Sequence, residues 1–552
     1  MNILLTAINA KFIHTNISLR YLKKATAHLP VETSLYEVSI NEERDQILEG
    51  ILLAEPDLVA FSVYLWNFQL VQELSCLLKK VRPNLPILYG GPEVSYDSLH
   101  HLQILDGEYI IRGEGEKTYE DFIGSLLHGK NLHEVAGLTF REGDTIFVNP
   151  PREKMPMEEV PYPYEEGEDL RGKLAYMEAS RGCPYQCSYC LSSAERDLRF
   201  LPLAEVKERI EKLLFTGASV VKFIDRTFNI HPEAKDIWAY LISLDTAVTF
   251  HFEIAPDLIK EEHLALLATA PPGRIQFEVG IQSTKKEVLQ SIQRYIGFTQ
   301  VLEKLQRLAS LDNIHCHMDL IAGLPYDTLE TFKNSFNDVY PLQPGMLQLG
   351  FLKIIKGTPM EKDAKGFAMA YSPYPPYEVL ETKWMSYETL RHLHKVEDAL
   401  ERYYNSGRFA KTLSYVLADD KDPFAFYEAL GLYLEERGQG RSLGLKDQFL
   451  FLRDFALEYK KPRNQEDVAL VLNELLKFDW LSTNKKQYVP EFLQRNHEKN
   501  QEARKDLLKN LRMKIHVEIF KMDLWAYFDQ GTMTFCDTPV VYDLDSGEII
   551  KI

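Results

Sequence analysis

Three of the chain's six cysteines fall within eight residues, in the stretch SRGCPYQCSYC from Ser180 to Cys190. Cys183, Cys187 and Cys190 stand in a C-x3-C-x2-C pattern. Soft thiolates at short spacing ligate zinc or iron–sulfur clusters. A structural zinc site closes with four ligands. No nearby Cys or His completes that pattern, and Cys76, Cys316 and Cys536 are distant in sequence. Three thiolates on a [4Fe–4S] cluster leave one iron with an open position, where a substrate or cofactor can bind and accept an electron. The spacing leaves two chemistries open: a small structural zinc knuckle, or a cluster whose missing ligand is the working point.

The elements that must position this loop alternate between strand and helix patterns. Residues 1–140 carry five β-rich runs, ILLTAI, TSLYEVSI, LVAFSVYLW, PILYGG and EYIIRGEGE, separated by amphipathic stretches. Such alternation predicts a doubly wound parallel sheet of the Rossmann or flavodoxin type, with ligands outside the carboxyl ends of the strands. Those ends hold INAKFIHTN (with His14, Thr15 and Asn16), Ser62 and Tyr64, YGGPEVS (with Gly90, Gly91, Pro92 and Glu93) and RGEGE (with Gly113 and Glu114). Residues 141–172, with Pro150, Pro151, Pro156, Pro161 and Pro163, read as an extended linker. A second β/α series over 173–375 begins at KLAYMEAS and continues through VVKFID, VTFHFEIA, IQFEVGIQ, CHMDLIAGL and LQLGFLKII. Six such units predict a partial or full parallel barrel with its active site at the strand C-terminal ends. The cysteine loop then sits at the top of the first barrel strand. Residues 376–552 are mainly helical, through MSYETLRHLHKVEDALERYYN, PFAFYEALGLYLEERG and QEDVALVLNELLKFDWL. They close on the strand-like KIHVEIFKM and VVYDLDSGEIIKI, and nothing in them names a ligand.

Composition bounds the class. The 552 residues are 45% hydrophobic and 26% charged, with 63 Lys+Arg against 81 Asp+Glu and a net charge of −18. That acidity argues against a nucleic-acid partner. No apolar run reaches the length of a transmembrane helix, so no membrane partner is expected. The N-terminus reads as a strand rather than a signal peptide. Few, clustered cysteines fit a reducing cytoplasm better than a disulfide framework.

A C-x3-C-x2-C loop after the first strand of a β/α barrel resembles the radical S-adenosylmethionine (SAM) superfamily. Tyr189 fits the family's aromatic position before the last cysteine, and FIDRTFN at 223–229, FEVGIQS at 277–283, DLIAGLP at 319–325 and FLKIIKGTPM at 351–360 follow in order. The loops YGGPEVS and RGEGE resemble the cobalamin-binding domain that precedes many such barrels, and the tail resembles the C-terminal extension of an uncharacterised branch. The resemblance implies a [4Fe–4S] cluster on the three cysteines. SAM binds its open iron and is reductively cleaved to methionine and a 5′-deoxyadenosyl radical. Tyr189 would pack near the adenine, Glu253, Gln282 and Ser283 would line the SAM site, and Arg294 would pair with the SAM carboxylate. The family's frequent Gly-Gly-Glu at the second strand is replaced here by FIDR, so Asp225 or Arg226 takes its place. The loops holding His14, Thr15, Asn16, Ser62, Tyr64, Gly90, Gly91, Pro92, Glu93, Gly113 and Glu114 would hold cobalamin. The D-x-H-x-x-G signature of corrinoid carriers with a histidine below cobalt is absent, since His14 lacks both the preceding Asp and the following Gly. Cobalamin without a protein histidine on cobalt is the implied state, with His14 as lower ligand the alternative. The implied reaction is methylation of an unactivated carbon, with a flavodoxin or ferredoxin as electron donor. Radical cyclisation or rearrangement is the runner-up. A non-catalytic Fe–S/corrinoid redox sensor is the alternative of another class. RNA methylthiolation fits less well, because that branch carries a further cysteine-bearing N-terminal domain.

Simpler readings stand beside these. Gly90-Gly91-Pro92 also suits a tight strand-to-helix turn, and Glu114 and Glu116 suit the first turn of a helix. Cys76 reads as a buried small hydrophobe. Cys316 is a candidate for the barrel interior. His315 and His317 share one side of their strand, facing either the site or the outer helices. The aromatics of ALERYYNSGRF read as packing rather than a nucleic-acid platform.

Overall fold

Along β1 (Asn2–Asn9), Ile3, Leu5 and Ala7 join one apolar cluster while Leu4 and Ile8 join another. This period-two alternation means both faces of the strand are covered. The computed structural model describes residues 1–194, 196–418, 420–437, 443–460, 465–483, 488–508 and 514–551. On one face the helices Arg44–Leu53 and Phe68–Val81 contribute Ile47, Ile51, Val71, Leu74 and Leu78. On the other, Ile17–Ala25 and Glu116–His128 contribute Leu19, Tyr119, Phe122 and Ile123.

With β2 (Glu32–Ser39), β3 (Leu58–Ser62), β4 (Ile87–Gly90), β5 (Tyr109–Ile111), β6 (Leu138–Glu142) and β7 (Thr145–Val148), the sheet order is β2-β1-β3-β4-β5-β6-β7. The first five strands pair in parallel, as the sequence predicts. β6 and β7 extend the edge antiparallel, an addition the strand–helix alternation does not signal. The order 2-1-3-4-5 is the flavodoxin-like winding, whose switch point lies between β1 and β3.

The second sheet contains β8 (Leu174–Met177), β11 (Val220–Phe223), β12 (Thr249–Ile254), β13 (Ile275–Gln282), β14 (His315–Ala322) and β15 (Met346–Phe351), side by side in chain order. The β8–β11, β11–β12, β12–β13 and β13–β14 pairs are parallel. This is the expected six-unit partial barrel. Phe223, Phe252 and Phe277 turn to the helix side, where Trp238 of the helix Ala234–Ser243 stacks against Phe252 and Phe277. The alternate positions face the lumen. Two short strands, β9 (Ser180–Arg181) and β10 (Arg199–Phe200), pair antiparallel just beyond β8, and β16 (Ala370–Tyr371) pairs antiparallel with β17 (Val379–Glu381).

The chain divides into two compact units, the first comprising 1–335, 342–344 and 349–390, the second 336–341, 345–348 and 391–552. The second unit contains the helices Pro423–Glu436, Leu445–Lys460, Gln465–Thr483 and His497–Leu508, and the antiparallel β18 (Ile515–Phe520), β19 (Thr538–Asp543) and β20 (Ile549–Ile550). The mainly helical tail and its strand-like close match the sequence reading; Gly438 and Ile552, the last residues of two of the quoted stretches, lie outside the described residues. Among the described residues no helix is long and apolar enough to cross a membrane.

Candidate active site

The cysteine loop is tied down at both ends by its neighbours. β9 and β10 close residues 182–198 into a loop, and Gly182 enters it at φ +96, where an added Cβ would lie 2.5 Å from the Asp197 carbonyl oxygen. Only glycine fits that turn. The Asp225 carboxylate, at the end of β11, accepts the Ala179 N–H at 3.1 Å and the Ser180 hydroxyl at 2.5 Å. Burial pushes Asp225 up to about 7, against the lowering effect of those bonds. Cys183 and Cys187 are buried and Cys190 is half-buried, and all three are free thiols. Arg294 donates to the Gly280 carbonyl at 2.6 Å and approaches Cys187 Sγ at 3.9 Å. Burial raises the Cys187 thiol and the guanidinium opposes it. Tyr189 lies beside the same arginine.

The three thiols test the two chemistries left open by the sequence. Among the described residues no three His, Cys, Asp or Glu side chains are placed to hold one metal ion. A cubane takes its thiolates at separate irons, and a buried loop of free thiols beside a guanidinium fits that donor set.

Beside this loop a cavity of about 460 Å³ opens between the ends of β3, β4 and β5 and the mouth of the barrel. Its wall includes Ser62, Tyr64, Gly90, Gly91, Pro92, Gly113 and Glu114 from the first domain, and Arg181, Gly182 and Arg226 from the barrel. Gly91 has φ +112, and an added Cβ would lie 2.5 Å from the Val63 carbonyl oxygen. At Gly113, also at positive φ, nothing lies within 4 Å of an added Cβ, so the space beside it is open. A glycine-floored cavity at the strand ends, near the switch point, fits a broad ligand that the backbone approaches closely.

The charges beside this cavity pair with one another. Arg181 is 10% exposed and pairs with Glu116 at 2.6 Å, Glu178 at 2.8 Å and Glu114 at 3.3 Å. Its guanidinium also lies over the Tyr21 ring. Arg199 pairs with Glu114 from the other side, and the two guanidinium groups hold Glu114 below the usual carboxylate range despite its burial. Arg181 stands two residues before Cys183, so this network fastens the cluster loop to the loop after β5. Sequence reasoning singled out Glu114 and Glu116 but missed both arginines. An arginine next to a cysteine motif was the available signal.

Four residues expected at cobalamin do not line the cavity. Ile13 O accepts the Leu174 N–H at 2.7 Å, the Thr15 hydroxyl donates to Leu174 O at 2.8 Å, and His14 Nδ1 meets the Tyr176 hydroxyl at 2.5 Å. The loop after β1 thus covers the exposed edge of β8, whose backbone groups would otherwise lack partners. Asn16 caps the helix Ile17–Ala25 and donates to Ser62 Oγ at 3.0 Å. Glu93 is buried and accepts the Tyr377 hydroxyl.

The residues expected at SAM gather at the strand ends of the barrel. Glu253 ends β12 at 3.6 Å from Arg226 and 4.0 Å from Lys222. Gln282 closes β13 at φ 69, with its buried Oε1 unpartnered. Ser283 is turned into the protein, 3.3 Å from Ser335 Oγ. Asp225 and Ser283 therefore act on the protein's own backbone and hydroxyls, whereas Gln282 Oε1 is buried without a partner among the described residues and Glu253 faces Arg226 and Lys222.

Below them the lumen carries Lys222, His251, Glu278, His315, His317 and Asp319, all on the face opposite the helix-side phenylalanines. Lys222 pairs with Glu278 at 3.1 Å, and His251 meets the same carboxylate at 3.2 Å. Hydrogen bonding from His251, with Lys222 nearby, pulls Glu278 down to about 2. Burial, with the carboxylates of Glu278 and Glu253 nearby, pushes Asp319 up to about 7. Burial, with His315 and His251 nearby, lowers His317 to about 4. Cys316 instead lies on the helix side, where burial raises its thiol to about 12, so its candidacy for the interior fails on strand parity. Polar residues at every second position of buried parallel strands, where apolar runs are the rule, were the sequence signal for this array.

Three family descriptions match the chain: B12 binding domain over residues 3–123, Radical SAM superfamily over 177–339, and Protein of unknown function (DUF4080) over 365–541. A 2-(S-pantetheinyl)-carbapenam-3-carboxylate methyltransferase of Streptantibioticus cattleyicolor is 26% identical over 310 residues, 52% of this chain and 45% of that protein. The cobalamin-dependent radical SAM methyltransferase TokK of Streptomyces tokunonensis is 26% identical over 319 residues, 53% of this chain and 46% of that protein. This chain thus spans about half the length of these curated relatives. The structure of the cobalamin-dependent SAM radical enzyme OxsB with aqua-cobalamin and SAM bound matches with a TM-score of 0.59 at 16% identity, over 86% of this chain and 78% of that one. At that identity the likeness establishes the fold.

Proposed function

We propose a reaction for this chain, which belongs to the radical SAM enzymes that carry a B12-binding domain and ends in a domain of unknown function: cobalamin-dependent methylation of an unactivated carbon, driven by reductive cleavage of SAM. The observation that carries the reading is that one cavity is walled both by the glycine turns of a flavodoxin-like sheet and by the loop holding Cys183, Cys187 and Cys190. A domain division of 1–140 for cobalamin, 141–172 as linker, 173–375 for the barrel and 376–552 as a tail of open role accompanies it.

When bound, the cluster and cobalamin supply one-electron reduction and a transferable methyl group. The chain's own residues have separate tasks. Cys183, Cys187 and Cys190 ligate the cluster, and the buried position of Cys183 and Cys187 keeps water from it. Arg294, fixed on Gly280 O beside Cys187 and Tyr189, presents positive charge where a carboxylate of SAM would be held. Gln282 and Glu253 offer acceptors at the mouth, and Asp225 positions the strand-to-loop turn through Ala179 and Ser180. Ser62, Tyr64, Gly90, Gly91, Pro92 and Gly113 form the cobalamin cradle, with Arg181 and Arg199 locking Glu114 into its rim. His14, engaged with Tyr176, would not be among the residues that hold cobalamin. Electrons come from a flavodoxin- or ferredoxin-like donor.

Anaerobic reconstitution with iron, sulfide, cobalamin and SAM under reduction tests the reading. Methylation predicts 5′-deoxyadenosine together with S-adenosylhomocysteine. 5′-Deoxyadenosine without S-adenosylhomocysteine would shift the assignment to rearrangement, and binding of both cofactors with no SAM cleavage would make the protein a sensor.

A further inference from the structure

In the lumen of the barrel the cations are engaged and one carboxylate is not. Two cations, Lys222 and Arg226, stand among three carboxylates, Glu253, Glu278 and Asp319. Lys222 is 3.1 Å from Glu278 and Arg226 is 3.6 Å from Glu253, so each cation has a carboxylate. Asp319 is the one left over, and its Oδ1 is buried without a hydrogen-bond partner. Its neighbours in register are Gly280, which brings no side chain, and, two residues back along β14, His317 opposite Glu278. His317 meets His315 and His251 edge to face, with ring centroids 4.7 and 5.7 Å away, and neither the His315 nor the His317 side chain makes a hydrogen bond among the described residues. Burial lowers both imidazoles, and a neutral imidazole offers one lone pair beside its one N–H. A buried carboxylate without a partner is costly. An array whose one unpaired group is a carboxylate is completed by a ligand that brings an N–H donor, and a positively charged donor is the one that favours the ionised carboxylate.

We propose that this lumen takes a substrate bearing a cationic nitrogen (an ammonium, amidine or guanidine group) whose N–H donors are accepted by Asp319 and by the imidazole of His317. The inference rests on the reading of the chain as a radical SAM enzyme whose substrate occupies the barrel. Glu278 and Glu253 contribute field rather than contact, because Lys222, His251 and Arg226 already hold them. A neutral isostere loses the charge-assisted bond, and an anion meets the surplus carboxylate directly.

The test is calorimetric titration of the anaerobically reconstituted protein with n-butylguanidine, its neutral isostere n-butylurea, and butyrate, with SAM cleavage measured on the same preparation. The expected result is guanidine binding at least about tenfold tighter than urea, as one charge-assisted hydrogen bond supplies, with butyrate weakest. In Asp319→Asn, checked for native melting, that preference is expected to vanish. Equal binding of guanidine and urea, preference for urea or butyrate, no binding of any probe, or a preference that survives in Asp319→Asn would overturn the inference. Absence of SAM cleavage in the wild type would overturn the functional reading instead, whatever the probes do.

Discussion

The cavity beside the cysteine loop and the lumen beneath it are both lined by ionised side chains, yet they use charge in opposite ways. Beside the cavity, Arg181 and Arg199 meet Glu114, Glu116 and Glu178 at close range, so every one of these groups has a partner of opposite charge. What remains for a ligand is glycine backbone and shape. In the lumen, the buried Asp319 Oδ1 has no hydrogen-bond partner among the described residues. Charge that is cancelled within the protein holds a surface in place; charge left open selects what comes to it. A cofactor shared by many reactions suits the first kind of wall, and a particular substrate suits the second.

Removing one residue from each region should break this contrast in a graded way. The largest effect is expected at Cys187→Ala, which takes away one of three cluster ligands: iron content falls and 5′-deoxyadenosine formation is lost, as read by iron–sulfide analysis and chromatography. Next is Arg181→Met. It leaves Glu116 and Glu178 buried and unpaired, a loss of roughly 3–5 kcal/mol that denaturant unfolding should detect, while binding of n-butylguanidine in the lumen survives in the folded fraction. Gly91→Ala follows. Its positive φ and the nearby Val63 carbonyl make alanine strained by roughly 1–3 kcal/mol, and cobalamin affinity measured by absorbance should fall while cluster content stays.

The lumen gives the subtler signal. Asp319 is pushed up to about 7 by burial first and then by Glu278 and Glu253, against Lys222, with His317, His315 and His251 held on the same face. The folded state therefore favours its protonated form, and ionising it costs stability. That cost is absent near pH 4, grows as pH rises, and is complete above about 7. Asp319→Asn should consequently melt near the wild type at about pH 4 and above it at about pH 8. An unchanged difference across that range would mean that Asp319 has a partner after all. The smallest effect is expected at Cys316→Ala, which removes one buried sulfur from the helix side for about 1 kcal/mol and leaves SAM cleavage intact.

Much of this architecture is legible in the sequence because it rests on local periodicity. The five parallel strands of the first sheet and the six of the barrel follow from strand–helix alternation, and the cysteine spacing picks out the loop that β9 and β10 close. Gly90, Gly91, Pro92 and Gly113 are legible too, since a turn at the end of a strand needs them whichever ligand it meets. What the sequence hides is pairing across distance. Nothing local says that Thr15 and His14 will be used to cover the edge of β8, or that Glu93 will be claimed by the far-off Tyr377. Nor does it say that Arg181 will meet Glu116. The parity of β14 is different. HCHMDL already separates His315, His317 and Asp319 from Cys316, and only the packing of Phe277 against Trp238 was needed to say which side faced the helices.

The most direct test of the central claim is mass spectrometry of cell extract incubated with the anaerobically reconstituted protein and SAM deuterated in its methyl group. The account predicts at least one small molecule that gains a single deuterated methyl, formed together with 5′-deoxyadenosine and S-adenosylhomocysteine, and absent when Cys187→Ala replaces the wild type. Vigorous SAM cleavage with no deuterated methyl in any extract component would contradict it.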